Sequence, residues 1–138
     1  MGVMKYVLDS NVCIHFMKDE YKVKQKLTAI GFKNCYISEL TILELIYGIA
    51  NSASTRKIEN QHKLNQFIAG FQDRILPIRP VFGIFADQKT RLRKLGLPIS
   101  DFDLLIGCTA LFHGYTLSSR NIKEMIRIEG LLLENWID

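Results

Sequence analysis
Nowhere in its 138 residues does this chain hold the run of roughly 18 to 20 apolar residues that a membrane-spanning helix requires. Its opening, MGVMKYVLDSN, has neither an h-region nor a small-residue cleavage site. Both absences lead to the expectation of a soluble, cytoplasmic protein that makes no membrane contact. Cysteine is scarce: Cys13, Cys35 and Cys108 are far apart, sit among apolar neighbours and form no CxxC pair. An odd, scattered set of this kind excludes a disulfide framework and reads as reduced core thiols. Histidine is equally sparse, and His15, His62 and His113 lack the helical spacing of paired metal ligands, which argues against zinc. The P-loop, the GxGxxG dinucleotide fingerprint and the G-x-S-x-G nucleophile elbow are all missing, which removes several common enzyme classes. Internal repeats, low-complexity tracts and linkers are missing too, so a single domain over residues 1–138 is expected.

What the chain does have is apolar material for one core, 48% of its residues. KYVL reads as a short buried strand that ends abruptly at Asp9, and VCIHFM as a weakly amphipathic helix after it. A second helix is expected over residues 21–30, stopped by Gly31, then a strand in CYI and a helix over residues 39–50 capped by Ser38. Ser54 or Thr55 opens a longer helix with apolar positions Ile58, Leu64, Phe67, Ile68 and Phe71. RILPI is a short or edge strand because of Pro77. Pro80 starts a helix with the apolar face Val81, Ile84, Phe85, Leu92 and Leu95, and residues 100–113 form the next helix, ended by Gly114. YTLS and LLLENWI supply the last strands, with a brief turn opened by Asn121 between them. Tyr21, Tyr47 and Phe82 are candidates for stacking on unpaired bases, but they fall at apolar helical spacings and read as core. Alternation of this kind specifies an α/β fold, a central, mostly parallel sheet of about four to five short strands flanked by helices. Ligands of such sheets bind outside the carboxyl ends of the strands.

The formal charge of +4 permits a polyanionic partner without requiring one. Lys22, Lys24 and Lys26 form one basic cluster, Arg56 and Lys57 a second, and Lys89, Arg91, Arg93 and Lys94 a third. Each by itself reads first as a solvated helix face.

Four polar residues interrupt apolar segments: Asp9 in YVLDSN, Glu44 in TILELIYG, Asp103 in SDFDLLIGCTAL and Asn121 in TLSSRN. A carboxylate in such company is costly unless a cation or hydrogen bonds compensate it. Asp9 and Asn121 both follow strands, so they approach each other if those strands are neighbours. Glu44 shares a helix face with Leu40, Leu43 and Tyr47 by the i, i+3, i+4, i+7 rule, which turns it toward the packed side. Each residue also has a local explanation. Asp9 is a possible N-cap, Glu44 a core acid paired with an arginine, Ser100-x-x-Asp103 a capping box, and Asn121 with Glu124 another. Caps account for three of the four singly but give Glu44 no reason to face inward; a hard divalent ion such as magnesium or manganese, which takes oxygen ligands, accounts for all four.

With these segments in hand the chain resembles the PIN-domain proteins, and within them the VapC-type toxins of toxin–antitoxin pairs. YVLDSNVCI resembles the opening motif, with Asp9 its first acid and Asn11 its companion; SELTILELIYG places Glu44 in the second; SDFDLLIGCTALFHGYTLSSRN places Asp103 on the third acid and Asn121 on the last acidic position; IEGLLLENW matches the common tail. The resemblance covers nearly the whole length. It implies a PIN-like fold and a metal-dependent endoribonuclease that cuts structured RNA such as transfer or ribosomal RNA, is held inactive by a VapB-like antitoxin, and forms a homodimer. It also implies that Asp9, Glu44 and Asp103 hold one or two magnesium or manganese ions, with Asn121 orienting water or serving as an outer ligand. Asp101, Asn11, Ser119 and Glu124 would be accessory. Asn121 departs from the acidic form of its motif, which removes one charge from the pocket, and Glu124 is placed to compensate. Two other readings stand beside this one: a PIN-like module that binds nucleic acid or protein without catalysis, and a phosphatase with Asp9 as nucleophile. The second has Asn11 where an acid–base aspartate is needed.

Overall fold
The first strand, β1 (Tyr6–Leu8), is buried on both faces and divides the interior in two. Its side chains alternate, as strand geometry demands. Tyr6 and Leu8 pack into one apolar cluster with Val12, Leu27, Ile37, Leu64 and Phe71, while Val7 packs into another with Leu92, Leu104, Ile106, Leu117 and Met125. The computed structural model describes residues 3–138. In chain order its main elements are β1, α1 (Ser10–Met17), α2 (Val23–Ile30), β2 (Cys35–Ser38), α3 (Glu39–Ala50), α4 (Lys57–Gly70), β3 (Ile75–Leu76), α5 (Phe82–Leu95), α6 (Asp101–His113), β4 (Thr116–Ser118), α7 (Ile122–Met125) and β5 (Leu132–Glu134). The five strands form one sheet in the order β3-β2-β1-β4-β5, and every pairing is parallel. This is the α/β architecture expected from the alternation of elements. β3 ends at Leu76, directly before Pro77, and lies at the sheet edge, the short edge strand that the proline predicts.

β1 and β4 are neighbours, in the register Leu8↔Ser118. The ladder continues one step beyond the strands, with the Asp9 N–H donating to the Ser118 carbonyl at 2.9 Å. Asp9 and Ser119 therefore leave the sheet side by side at its carboxyl end. Among the described residues no helix is long and apolar enough to cross a membrane. Cys13, Cys35 and Cys108 are free and buried, as core thiols should be.

Several sequence expectations need correction. The second helix begins at Val23 rather than Tyr21, because Asp19, Tyr21 and Lys22 adopt φ of 55°, 55° and 58°, a left-handed conformation that costs roughly 1–2 kcal/mol per residue outside glycine. Ile58 is 88% exposed rather than core: it lies in the same helix as Leu64 but six residues before it, about 240° around the axis, and so falls off the face that Leu64 and Phe67 bury. Leu95 is also exposed, on the last turn of α5. Leu43 and Tyr47 face solvent instead of the packed side. α3 is apolar nearly all round, so the 3.6 periodicity could not tell which apolar stripe is covered. Tyr21, Tyr47 and Phe82 are likewise exposed, at 51%, 68% and 50%.

Gly107 on α6 marks the tightest helix contact on the second side of the sheet. A Cβ there would lie 2.3 Å from Ile128 Cδ1 and 3.5 Å from Met125 Sδ. Gly107→Val should destabilise the fold by about 2–3 kcal/mol through overpacking, read as a lowered urea midpoint with an unchanged slope. A midpoint equal to that of the parent would show that α6 does not seat this closely on the segment around α7.

Candidate active site
Asp9 ends β1 and N-caps α1, and it is only 4% exposed. Its Oδ1 accepts from the Ser10 N–H at 2.8 Å and its Oδ2 from the Ser119 hydroxyl at 2.7 Å. Ser10 then reaches across to α3: its Oγ donates to Glu44 Oε1 at 2.6 Å and lies 3.3 Å from Thr41 Oγ1. Ser119 reaches the other way, its Oγ accepting from the Asn121 N–H at 3.0 Å, and Asn121 Nδ2 donates to Asp103 Oδ2 at 3.3 Å. One connected relay therefore runs Glu44–Ser10–Asp9–Ser119–Asn121–Asp103 across α3, β1, β4 and α6. Residues 110 positions apart meet because β1 and β4 are paired.

The local explanations can now be weighed against this arrangement. Among the described residues no lysine, arginine or histidine forms an ion pair with Asp9, Glu44, Asp103 or Glu124. Glu44 is thus not a core acid paired with an arginine. Ser100 caps α6 by accepting from the Asp103 N–H at 3.2 Å, but the Asp103 carboxylate turns to Asn121 instead of closing the box. Asn121 makes no side-chain cap bond on α7, so the second capping box does not form. Asp9 does cap its helix, and both of its oxygens are engaged at the same time.

Burial pushes the Asp9 carboxyl up to about 6, against the pull of the Ser119 and Ser10 hydrogen bonds, and the charges of Asp103 and Glu44 push it the same way. Burial also raises Asp103, opposed by the Ser100 and Asn121 contacts and reinforced by the charge of Glu124. Glu124 thus belongs to the same acidic field. The accessory candidates divide. Ser119 is fully buried at the centre of the relay. Asp101 turns outward to an exposed ion pair with Lys89 at 2.9 Å, and Asn11 is exposed beyond Ser10. Ser10 and Thr41 were missed by the sequence reading. Their signal was available, since Ser10 directly follows the first acid and Thr41 stands three residues before Glu44 on one helix face.

Among the described residues no three His, Cys, Asp or Glu side chains close into a ready-made ligand shell. What the relay holds is a set of hard oxygens with no basic side chain in ion-pair contact with Asp9, Glu44 or Asp103 among the described residues. One oxygen each of Glu44 and Asp103, and further lone pairs on Asp9, stay available. That donor chemistry fits an ion such as magnesium, which binds through one or two carboxylates and keeps several waters. Glu44 also lines a groove of about 340 Å³ between α1, α3 and α4, with Ile14, Met17, Leu45, Ile49 and Leu64 as its apolar part and Lys18, Arg56 and Lys63 as its basic part.

The chain is similar to known proteins over nearly its whole length. Residues 6–130 match the PIN domain family. The chain is 35% identical over 136 residues to Ribonuclease VapC2 of Rickettsia felis, covering 96% of this chain and 98% of that one. It is 30% identical to the tRNA(fMet)-specific endonuclease VapC of Shigella flexneri, covering 97% and 99%. Among solved structures, VapBC2 from Rickettsia felis bound to a DNA fragment from its promoter superposes with a TM-score of 0.86 at 33% identity, over 96% of this chain and 99% of that one. The parallel sheet, the acids at its carboxyl end and these matches together make the chain a member of the PIN-domain family, in its VapC branch.

Proposed function
We propose that this protein is the toxin of a type II toxin–antitoxin pair, a magnesium- or manganese-dependent endoribonuclease that hydrolyses phosphodiester bonds of structured RNA such as tRNA. The observation that carries the reading is the relay joining Glu44, Asp9 and Asp103 with no basic side chain among them. Asp9, Glu44 and Asp103 would hold the ion. When bound, such an ion supplies Lewis-acid chemistry, making a nucleophile of water at neutral pH and neutralising charge on the phosphoryl and leaving oxygens. The chain's own residues position the site. Ser10 and Ser119 fix two carboxylates through short hydroxyl bonds, which orients them without neutralising them. Asn121 steadies Asp103 with its amide N–H and leaves its carbonyl oxygen to accept from a water. Asp9, titrating near 6, is ionised and able to ligate at neutral pH.

The RNA substrate class follows the endonuclease relatives, and the VapB-like antitoxin follows the Rickettsia felis pair. A partner segment lying in the groove between α1, α3 and α4 would meet Glu44 in its lining, which couples occupancy of the groove to access to this carboxylate. Leu43, Ile46 and Tyr47 leave an apolar stretch of α3 in solvent, which supports a homodimer. The test is to map new RNA 5′ ends after brief expression, and to incubate the purified protein with total RNA plus manganese or EDTA. Discrete ends that need manganese and vanish in Asp9→Asn are expected. Binding of RNA without manganese-stimulated cleavage would replace the enzyme by a binding module.

A further inference from the structure
Tyr21 is an aromatic residue that the sequence pattern assigns to the core and the fold places in solvent, 51% exposed. Its backbone sits at φ 55°, a conformation that bulky side chains avoid. The turn that imposes it is firmly held: the Glu20 N–H donates to the His15 carbonyl at 2.9 Å, and the Glu20 carboxylate lies 3.0 Å from His15 Nδ1. The result is a fixed ring packed edge-on against His15, with 4.7 Å between centroids. The Arg120 guanidinium covers the same ring at 5.2 Å. Strain kept by surrounding contacts in an exposed turn is the pattern of a ligand clamp.

Both halves of this pair are tied to the acid pocket. Arg120 lies in the chain between Ser119 and Asn121, two members of the relay. His15, which supports Tyr21, follows Asp9 by six residues on α1, or about 9 Å along the helix axis. The Arg120 fork already grips a two-oxygen anion, with Nε 3.3 Å from Asp138 Oδ2 and Nη2 3.2 Å from Asp138 Oδ1. That pair is 42% and 57% exposed, so a phosphate can exchange for the carboxylate at little cost. Exposed Lys18 and Lys22 flank the turn, with exposed Asp19 and Glu20 between them, so the cationic contact at the ledge is that of Arg120.

We propose that Tyr21 and Arg120 form a ledge that receives the nucleotide beside the cleaved phosphate of a single-stranded RNA segment, Tyr21 stacking on its base and Arg120 taking its phosphate from Asp138. The inference rests on the nuclease reading above for the place of the cleaved bond. Unstacked bases are held by aromatic and arginine planes in this manner, and phosphates by the guanidinium fork.

The test measures binding apart from cleavage, by fluorescence anisotropy of a labelled single-stranded RNA titrated with Asp9→Asn protein. Adding Tyr21→Ala should weaken binding roughly ten- to a hundredfold, while Tyr21→Trp should retain it. Arg120→Ala should weaken binding and reduce the slope of log affinity against log salt by about one. Asp138→Ala should tighten binding. Unchanged affinity in both Tyr21→Ala and Arg120→Ala, with parental melting temperatures, would overturn the ledge. Equal losses in Tyr21→Ala and Tyr21→Trp would overturn it as well, because they would assign Tyr21 a purely structural role. In the otherwise wild-type protein, RNA cleavage with manganese is scored alongside. Absence of cleavage with the binding pattern intact would sink the nuclease reading and leave the ledge; cleavage with indifferent ledge variants would do the reverse.

Discussion

Asp9→Asn is expected to lose RNA cleavage by roughly a thousandfold and, in the metal-free protein, to melt higher than the parent at neutral pH. The two effects share one cause. Asp9 is buried, ionises only near 6 rather than at its usual 3.8, and has no cationic partner. As pH rises from about 4, the unfolded chain releases this proton before the folded chain does, so stability falls through the interval and the full penalty is present above about 6. Its size is roughly 3 kcal/mol. Asparagine carries no such charge. Its carbonyl oxygen can still accept from the Ser10 N–H, and its amide can donate to Ser119. In EDTA at pH 7 the variant should therefore melt about 3–10 °C above the parent, and the gap should close as pH falls toward about 4. Scanning calorimetry across that pH range is the check. A variant that melts below its parent at pH 7 would mean that the Asp9 charge is already compensated within the protein.

Asn121→Asp is expected to act in the opposite sense. The Asn121 amide donates to Asp103 at 3.3 Å, and a carboxylate in its place would lose that bond and face a like charge, in a field that Glu124 already makes negative. The metal-free variant should lose about 2 kcal/mol at pH 7, from the forfeited hydrogen bond and the added repulsion. Manganese should more than restore it, since affinity for a hard cation grows with the charge of its ligands. The melting temperature of the variant should climb more steeply with manganese than that of the parent, with half-saturation at about tenfold lower concentration. Parallel manganese curves for the two proteins would place the ion away from Asp103 and Asn121.

Much of this site was legible because strand ends and interrupted apolar runs are strong signals. Asp9, Glu44, Asp103 and Asn121 stood out by being polar where burial was due, and the relay joins all four. The pairing of β1 with β4, which brings Asp9 beside Ser119, was only conditional in the sequence, because strand order depends on crossovers rather than on local pattern. Ser10 and Thr41 escaped notice since a hydroxyl beside an acid disturbs no periodicity. Glu44 was assigned its inward direction on a face that proved to be partly solvent, as exposed Leu43 and Tyr47 show; the carboxylate reaches the pocket from the boundary of that face through Ser10. Tyr21 was misplaced because helical spacing presumes a helix, and the chain leaves helical geometry at residues 19–22 before α2 begins.

The parallel order β3-β2-β1-β4-β5 has a further consequence for synthesis of the chain. β1 emerges from the ribosome well before its neighbour β4, and the Ser119 hydroxyl that anchors Asp9 follows it by 110 residues. A nascent chain lacking residues 116–121 has Asp9 without its strand partner and without Ser119 or Asn121. Contacts of such long sequence separation also form slowly. The relay therefore cannot close until β4 and the residues just after it have left the ribosome, however early Asp9 was made.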